Sequence, residues 1–137
     1  MTAKEYLRQA YRLNELINSD LEELEQLRSL STSISSPNLS GMPSGGSRNT
    51  EPAFAKAIMK IIDLEKKVNS EIDRYVDLKA EIRETINQLS DNEEKVLLRC
   101  RYINFCTWDV ICEKLCVSMR TVHRIHASAL QNLKVPE

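Results

Sequence analysis

The sequence predicts an all-α protein: a long antiparallel helical hairpin of coiled-coil character, followed by a three-helix helix-turn-helix module. Three observations predict it. The chain has 137 residues with only 3 Gly and 4 Pro while 28% are charged, a composition short of the turn residues that sandwiches, barrels and nucleotide-binding α/β folds need. Apolar residues recur at heptad spacing through the first two thirds, and the last third changes to short helical segments, each preceded by a capping residue. With 42% hydrophobic residues, the chain has room for one ordinary domain or two small modules.

The first helix is expected over 2–29, with Thr2 as its N-cap. Tyr6, Ala10, Leu13, Ile17, Asp20, Leu24 and Leu27 follow a 4-3-4-3-4-3 spacing, interrupted in polarity at Asp20. Residues 29–52 then hold eight Ser, all three Gly and three of the four Pro. Such a stretch buries too little apolar surface to offset its ordering entropy, so 35–50 reads as a flexible connector; Leu30 to Ile34 is its more apolar start. A second helix is expected over 52–88, with Pro52 in its first turn. Ile58, Ile61, Glu65, Val68, Ile72, Tyr75, Lys79, Ile82, Ile86 and Leu89 alternate by three and four, with Glu65 and Lys79 as polar interruptions. Two heptad helices joined by a long spacer fold back antiparallel. The second is the longer, which leaves part of its seam for the C-terminal module or another subunit.

These segments make residues 1–89 the hairpin and 90–137 a separate module. Ser90-Asp-Asn-Glu93 reads as a capping box, opening a helix with Val96, Leu97, Cys100 and Ile103 on its inner face. Asn104 and Phe105 break that pattern. Thr107 caps Trp108 to Leu115, with Val110, Ile111 and Leu115 inward, and Ser118 caps a last helix from Met119 to about Leu133. Between Trp108 and Ala127, Cys112 is the small residue where two helices cross. Ile111, Leu115, Val117, Val122 and Ile125 wedge the pair, and Cys116 takes the turn position where glycine is usual.

At about 100° per residue, the last helix gathers Val122, Ile125, Ala129 and Leu133 into a core stripe, with His126 and Leu130 at its edge. Arg120, Arg124, Ala127 and Gln131 lie opposite, flanked by Thr121 and His123. The net charge of −1 hides an uneven spread: residues 114–134 carry Lys114, Arg120, Arg124 and Lys134 and no acid. A solvated helix ordinarily mixes both signs, so a face of one sign suits phosphates. Arg120 and Arg124 have the chemistry either to read guanine edges in a major groove or to clamp phosphates. Lys114 and Arg99 are weaker phosphate candidates, and Arg101 suits an internal salt bridge at least as well.

Leu89-Ser90 with Glu93 and Glu94, VLLRCRY over 96–102, Thr107, and SMRTVHRIHASALQNL over 118–133 carry a resemblance. On them, Ile86 to Leu133 resembles region 4 of sigma-70-type factors. With KEYLRQ at the start, LRSLSTSISSP before the connector and KIIDLEKKVNSEIDRYVDLKAEI in the second helix, nearly the whole chain is similar to phage and prophage regulators of the ArpU/RinA type, which are late-gene activators. The resemblance implies sequence-specific binding of double-stranded DNA by the last helix, with base contacts from Met119, Arg120, His123 and Arg124. Met119 offers only apolar contact. The expected DNA-binding set is therefore Met119, Arg120, Thr121, His123, Arg124 and Ala127, joined by Lys114 and Arg99.

The resemblance also allows the module a contact with RNA polymerase, and, with no apolar signal core at the start, a cytoplasmic place in a bacterial host is expected. A complete sigma factor needs clustered aromatics to melt a promoter, whereas Tyr6, Tyr11, Phe54 and Tyr75 lie scattered here, so promoter opening by this chain alone is not expected. The hairpin is expected to form a homodimer or to touch polymerase. The alternative from another class is a protein-interaction adaptor that docks to RNA polymerase or a host factor through the hairpin without reading DNA.

No window approaches 18 apolar residues, and MTAKEYLRQAYR lacks an apolar signal core, so neither a membrane span nor export is expected. The four Cys lie within 100–116 without paired C-x₂-C spacing, so no metal is expected. Cys100 and Cys112 are expected in the core, Cys106 and Cys116 nearer the surface. All glycines fall in the connector, leaving no phosphate loop; neither a cofactor nor catalysis is expected.

Overall fold

A computed structural model describes residues 1–35 and 47–136. These are all-α, with no strand among the described residues: α1 (Ala3–Ser35), α2 (Ser47–Asn87), α3 (Asn92–Leu98), a π-helical turn (Arg99–Ile103), α4 (Trp108–Leu115) and α5 (Met119–Asn132). The middle of the expected flexible connector, 36–46, lies outside the described residues. Its margins are helical: α1 runs past residue 29 to Ser35, and α2 begins at Ser47. Pro52 therefore sits in the second turn of α2, where its missing N–H removes one ladder bond, rather than in the first. Thr2 caps α1 in a reciprocal box, its Oγ1 accepting from the Glu5 amide at 3.2 Å while its own amide donates to Glu5 Oε2 at 3.0 Å.

Packing divides the chain into two compact units, Met1–Glu15 with Arg74–Glu137, and Leu16–Asp73, where the change of sequence style falls at 89/90. In the Leu16–Asp73 unit the two long helices run antiparallel, since Asp20 meets Lys67 (3.9 Å) and Arg28 meets Glu65 (2.6 Å). Ile17, Asp20, Leu24 and Ser31 are the buried positions of α1, and Ala57, Ile61, Val68 and Glu71 those of α2. Ile72, expected in the seam, is exposed, and its place is taken by Glu71. Positions 61, 68, 82, 86 and 89 are buried in both the expected and the observed seams, with Tyr75 half-buried, while 58 and 72 give way to 57 and 71. A 3.6-residue helix meets a seven-residue repeat with either phase between its anchors.

Asp20 has only 7% of its surface exposed, and its Oδ2 has no hydrogen bond. A carboxylate desolvated beside one solvated lysine recovers little of its hydration energy, and apolar replacements of such groups often stabilise by ~1–4 kcal/mol. Asp20→Leu is expected to raise the thermal midpoint followed by circular dichroism. A lower midpoint would show instead that this carboxylate holds the helices together.

In the other unit, Tyr6, Leu7 and Ala10 of α1 and Ile82, Ile86 and Leu89 at the end of α2 share one core with Leu97, Leu98, Ile103, Ile111, Val122 and Ala129. The surplus seam of α2 thus packs on the C-terminal helices. Thr85 donates its hydroxyl to the Glu81 carbonyl at 3.0 Å, which leaves its oxygen to accept from the buried Tyr6 hydroxyl at 3.2 Å. α3 is capped by Asp91, not Ser90: Asp91 accepts from the Glu93 and Glu94 amides. Glu94 is buried and receives Ser128 Oγ at 2.7 Å and Asn132 Nδ2 at 3.1 and 3.2 Å, tying α3 to α5.

Candidate nucleic-acid interface

The interface is built from α4, a tight turn and α5, held by the π-turn before them. The Asn104 amide bonds to the Arg99 carbonyl at 3.0 Å, five residues back, and the Cys106 amide to that of Cys100 at 2.8 Å. The segment ends at Phe105, whose φ is 56°. α3 buries Leu97 and Leu98 and leaves Val96 exposed, and the wider turn after it buries Tyr102 beside Cys100 and Ile103. Val110 is likewise exposed, and α4 buries Ile111 with Leu115 half-buried.

Thr107 caps α4 by accepting from the Val110 amide, and Ser118 caps α5 by accepting from the Thr121 amide at 3.2 Å. Between them Cys116 is left-handed, with φ 55° and ψ 45°. A side chain with a Cβ there costs ~1–2 kcal/mol. Because Cys116 is exposed and glycine would forfeit only the long thiol contact to the Glu113 carbonyl at 3.6 Å, Cys116→Gly is expected to raise the urea midpoint with no change in its slope. An unchanged or lower midpoint would mean that glycine's greater freedom in the unfolded chain cancels the relief. Cys100 is buried, and burial pushes its thiol up. Cys112 and Cys106 are both half-buried, so Cys112 is less enclosed than expected.

α5 turns Val122 and Ala129 fully inward, with Leu133 just beyond its end. Arg120, Arg124, Ala127 and Gln131 are exposed along the opposite stripe. Neither arginine has an ion pair among the described residues, and the first turn of α5 holds no acid. The partial positive charge of that helix end therefore adds to the arginines. Met119 and His123 form a neighbouring stripe, Met119 with 40% exposure. Thr121 is half-buried and accepts from the Ser118 hydroxyl at 3.0 Å, so its side chain serves the cap. Lys114 is exposed on the last turn of α4, with Nζ 4.0 Å from Cys106 Sγ, and Arg99 is exposed on the π-turn. The expected set is thus brought together on α5 for Arg120, Arg124 and Ala127. His123 and Thr121 are engaged with neighbours, and Lys114 and Arg99 belong to other elements.

Behind α5 lies an aromatic layer. Arg101 makes no salt bridge among the described residues; its guanidinium lies 4.5 Å from the centre of the Trp108 ring and donates to the Cys106 carbonyl at 3.1 Å. Trp108 packs on His123 (4.8 Å) and His126 (4.9 Å). His126 Nε2 is 2.7 Å from the Tyr102 hydroxyl. Burial, with Lys4, His123 and Arg101 nearby, lowers the His126 imidazole from 6.5 to about 4, so it is neutral at pH 7, and its tautomer sets which of Nε2 and the Tyr102 hydroxyl donates. The α1 residues that approach this layer went unnoticed in the sequence. Lys4, Arg8 and Tyr11 share a 4-3 spacing beside the core stripe of α1, and that was their signal.

Among the described residues no group of three or more His, Cys, Asp or Glu is gathered in a way that holds a metal, and no helix is long and apolar enough to cross a membrane. A family model described as Protein of unknown function (DUF1492) matches residues 33–134, which takes in α2 through α5. No curated protein and no solved structure matches the chain.

Proposed function

The chain belongs to the DUF1492 family, and on that footing we propose that it is a sequence-specific DNA-binding transcription regulator, a phage or prophage gene activator of sigma-70 region 4 type acting in the bacterial cytoplasm. The observation that carries this reading is the outward stripe of α5. Two arginines without acidic partners stand one turn apart at the second helix of a helix–tight turn–helix unit, the place from which such units enter a major groove. Arg120 and Arg124 take the base edges or the flanking phosphates; Ala127 leaves room for close approach, and Met119 offers apolar contact to a thymine methyl. Lys114 and Arg99 serve backbone phosphates. RNA polymerase is the second partner, met through the same module.

Selection of genomic fragments on the full-length chain, followed by sequencing, tests the reading. A recurring short site next to the protein's own gene is the expected result, with affinity falling steeply as salt rises because phosphate contacts release counterions. Fragments recovered without sequence preference would remove the regulator reading.

The adaptor reading is favoured by a separate observation in the Leu16–Asp73 unit. Leu16, Met59, Ile62 and Ile72 are exposed, from 37% to 59%. Exposed apolar side chains of this kind suit either a homodimer, which would present two reading helices to a two-fold site, or a protein partner. Light scattering on the pure chain separates them: a dimer mass supports self-association, and a monomer that also fails the fragment selection supports the adaptor.

A further inference from the structure

Within the unit formed by Met1–Glu15 and Arg74–Glu137, a cleft of about 480 Å³ opens between the start of α1 and the aromatic layer. Lys4, Arg8 and Tyr11 form one wall; Arg101, Trp108 and His123 stand on the other. No carboxylate lines it, and none of Lys4, Arg8 or Arg101 has a salt bridge among the described residues. Three guanidinium or ammonium groups turned toward one hollow with no acid to neutralise them raise its potential and favour an anion. The volume and the aromatic walls exceed what a bare inorganic anion needs and fall in the range of small-molecule sites.

We infer that this cleft binds a nucleotide unit, with the base against the aromatic side chains and the phosphate on Lys4 and Arg8. The spacing on α1 fits that ligand. Lys4, Arg8 and Tyr11 lie on one face, and seven residues at ~1.5 Å rise separate the first from the last by roughly 10 Å, about the length of a nucleoside monophosphate. Tyr11 is 46% exposed, with its ring edge-to-face against Phe105 at 5.5 Å, so it is braced yet open to a base. Arg101 is already stacked on Trp108, which fixes its guanidinium in the wall with N–H groups to spare. Planar base, aromatic side chain and arginine plane is the combination by which proteins hold single bases. The unit arrives either as a free nucleotide or as one nucleotide of a single strand; the chemistry is shared. The inference stands on the cleft alone and does not require that α5 read DNA.

Trp108, the chain's one tryptophan, lies in the wall, so its fluorescence reports occupancy. The full chain is titrated with guanosine monophosphate, adenosine monophosphate, guanosine, inorganic phosphate and a short single-stranded thymidine oligonucleotide. A saturable change is expected with a monophosphate or with the oligonucleotide, at least about tenfold tighter than with guanosine or phosphate alone, since either half forfeits the other's contacts. Saturation by free monophosphates marks a soluble ligand; saturation by the oligonucleotide only marks a strand. Arg8→Ala and Tyr11→Ala change exposed side chains, so helicity is retained, and each is expected to weaken binding about tenfold. The inference is overturned by inorganic phosphate binding as tightly as every nucleotide probe, by no saturation below about 1 mM, or by both variants binding like the parent.

Discussion

Arg120→Ala and Arg124→Ala are each expected to weaken binding to the selected DNA site by about tenfold to a hundredfold, because a bidentate arginine contact is worth ~1–3 kcal/mol. Both side chains are exposed and lack ion pairs among the described residues, so far-ultraviolet circular dichroism should match the parent and the loss belongs to the interface. The pattern of the loss assigns the role. A base reader, once removed, relaxes selectivity at one position of the site. A phosphate clamp weakens all sequences alike and makes the salt dependence shallower by about one counterion. Wild-type affinity in both variants would mean that α5 does not face the duplex.

Acid is expected to unfold the helix-turn-helix unit through His126. Its imidazole titrates near 4 in the folded protein, against 6.5 when unperturbed, because protonation would place a cation in a desolvated layer already bordered by Lys4, His123 and Arg101. Between these values the unfolded chain binds the proton and the folded chain does not. The associated stability is complete above about pH 6.5 and drains as pH falls toward 4, by on the order of 1–2 kcal/mol once solvent screening of this half-buried ring is allowed for. Urea midpoints at neutral pH and near the lower value measure the drop. His126→Gln keeps a hydrogen-bonding partner for the Tyr102 hydroxyl, donor or acceptor, without a titrating group, so it should lose markedly less on acidification. Equal losses in parent and variant would place the acid sensitivity elsewhere.

The parts of this architecture that depend on neighbouring residues were legible in the sequence. Thr2, Thr107 and Ser118 cap the helices assigned to them, since a cap is a contact between a side chain and an amide two or three residues away. Cys116 stands at the turn position because α4 closes on a left-handed residue before Val117 and the Ser118 cap lead into α5. Errors arose where a local rule had two solutions. Asp91 and Ser90 both suit a cap, and the carboxylate took it. Glu71 and Ile72 both complete a heptad, and the acid went inward. Val96 was misplaced because α3 turns Glu94, Leu97 and Leu98 inward, a stripe that leaves Val96 outside. The exposed stripe of α5 followed from its period alone, whereas the cleft is assembled from residues about a hundred positions apart and has no sequence signature beyond the spacing on α1.

The π-turn at Arg99–Ile103 makes the chain intolerant of a change in length at this place. An α-helix of one residue fewer could span the same rise with its ladder intact, so a single deletion there would be mild for helicity. It would nevertheless swing the following side chains by about 100° around the axis, carrying Arg101 away from the indole and Tyr102 away from the imidazole it supports. Natural variants that shorten this stretch by one codon should therefore keep their helical content and lose the alignment between the first helix and the last two.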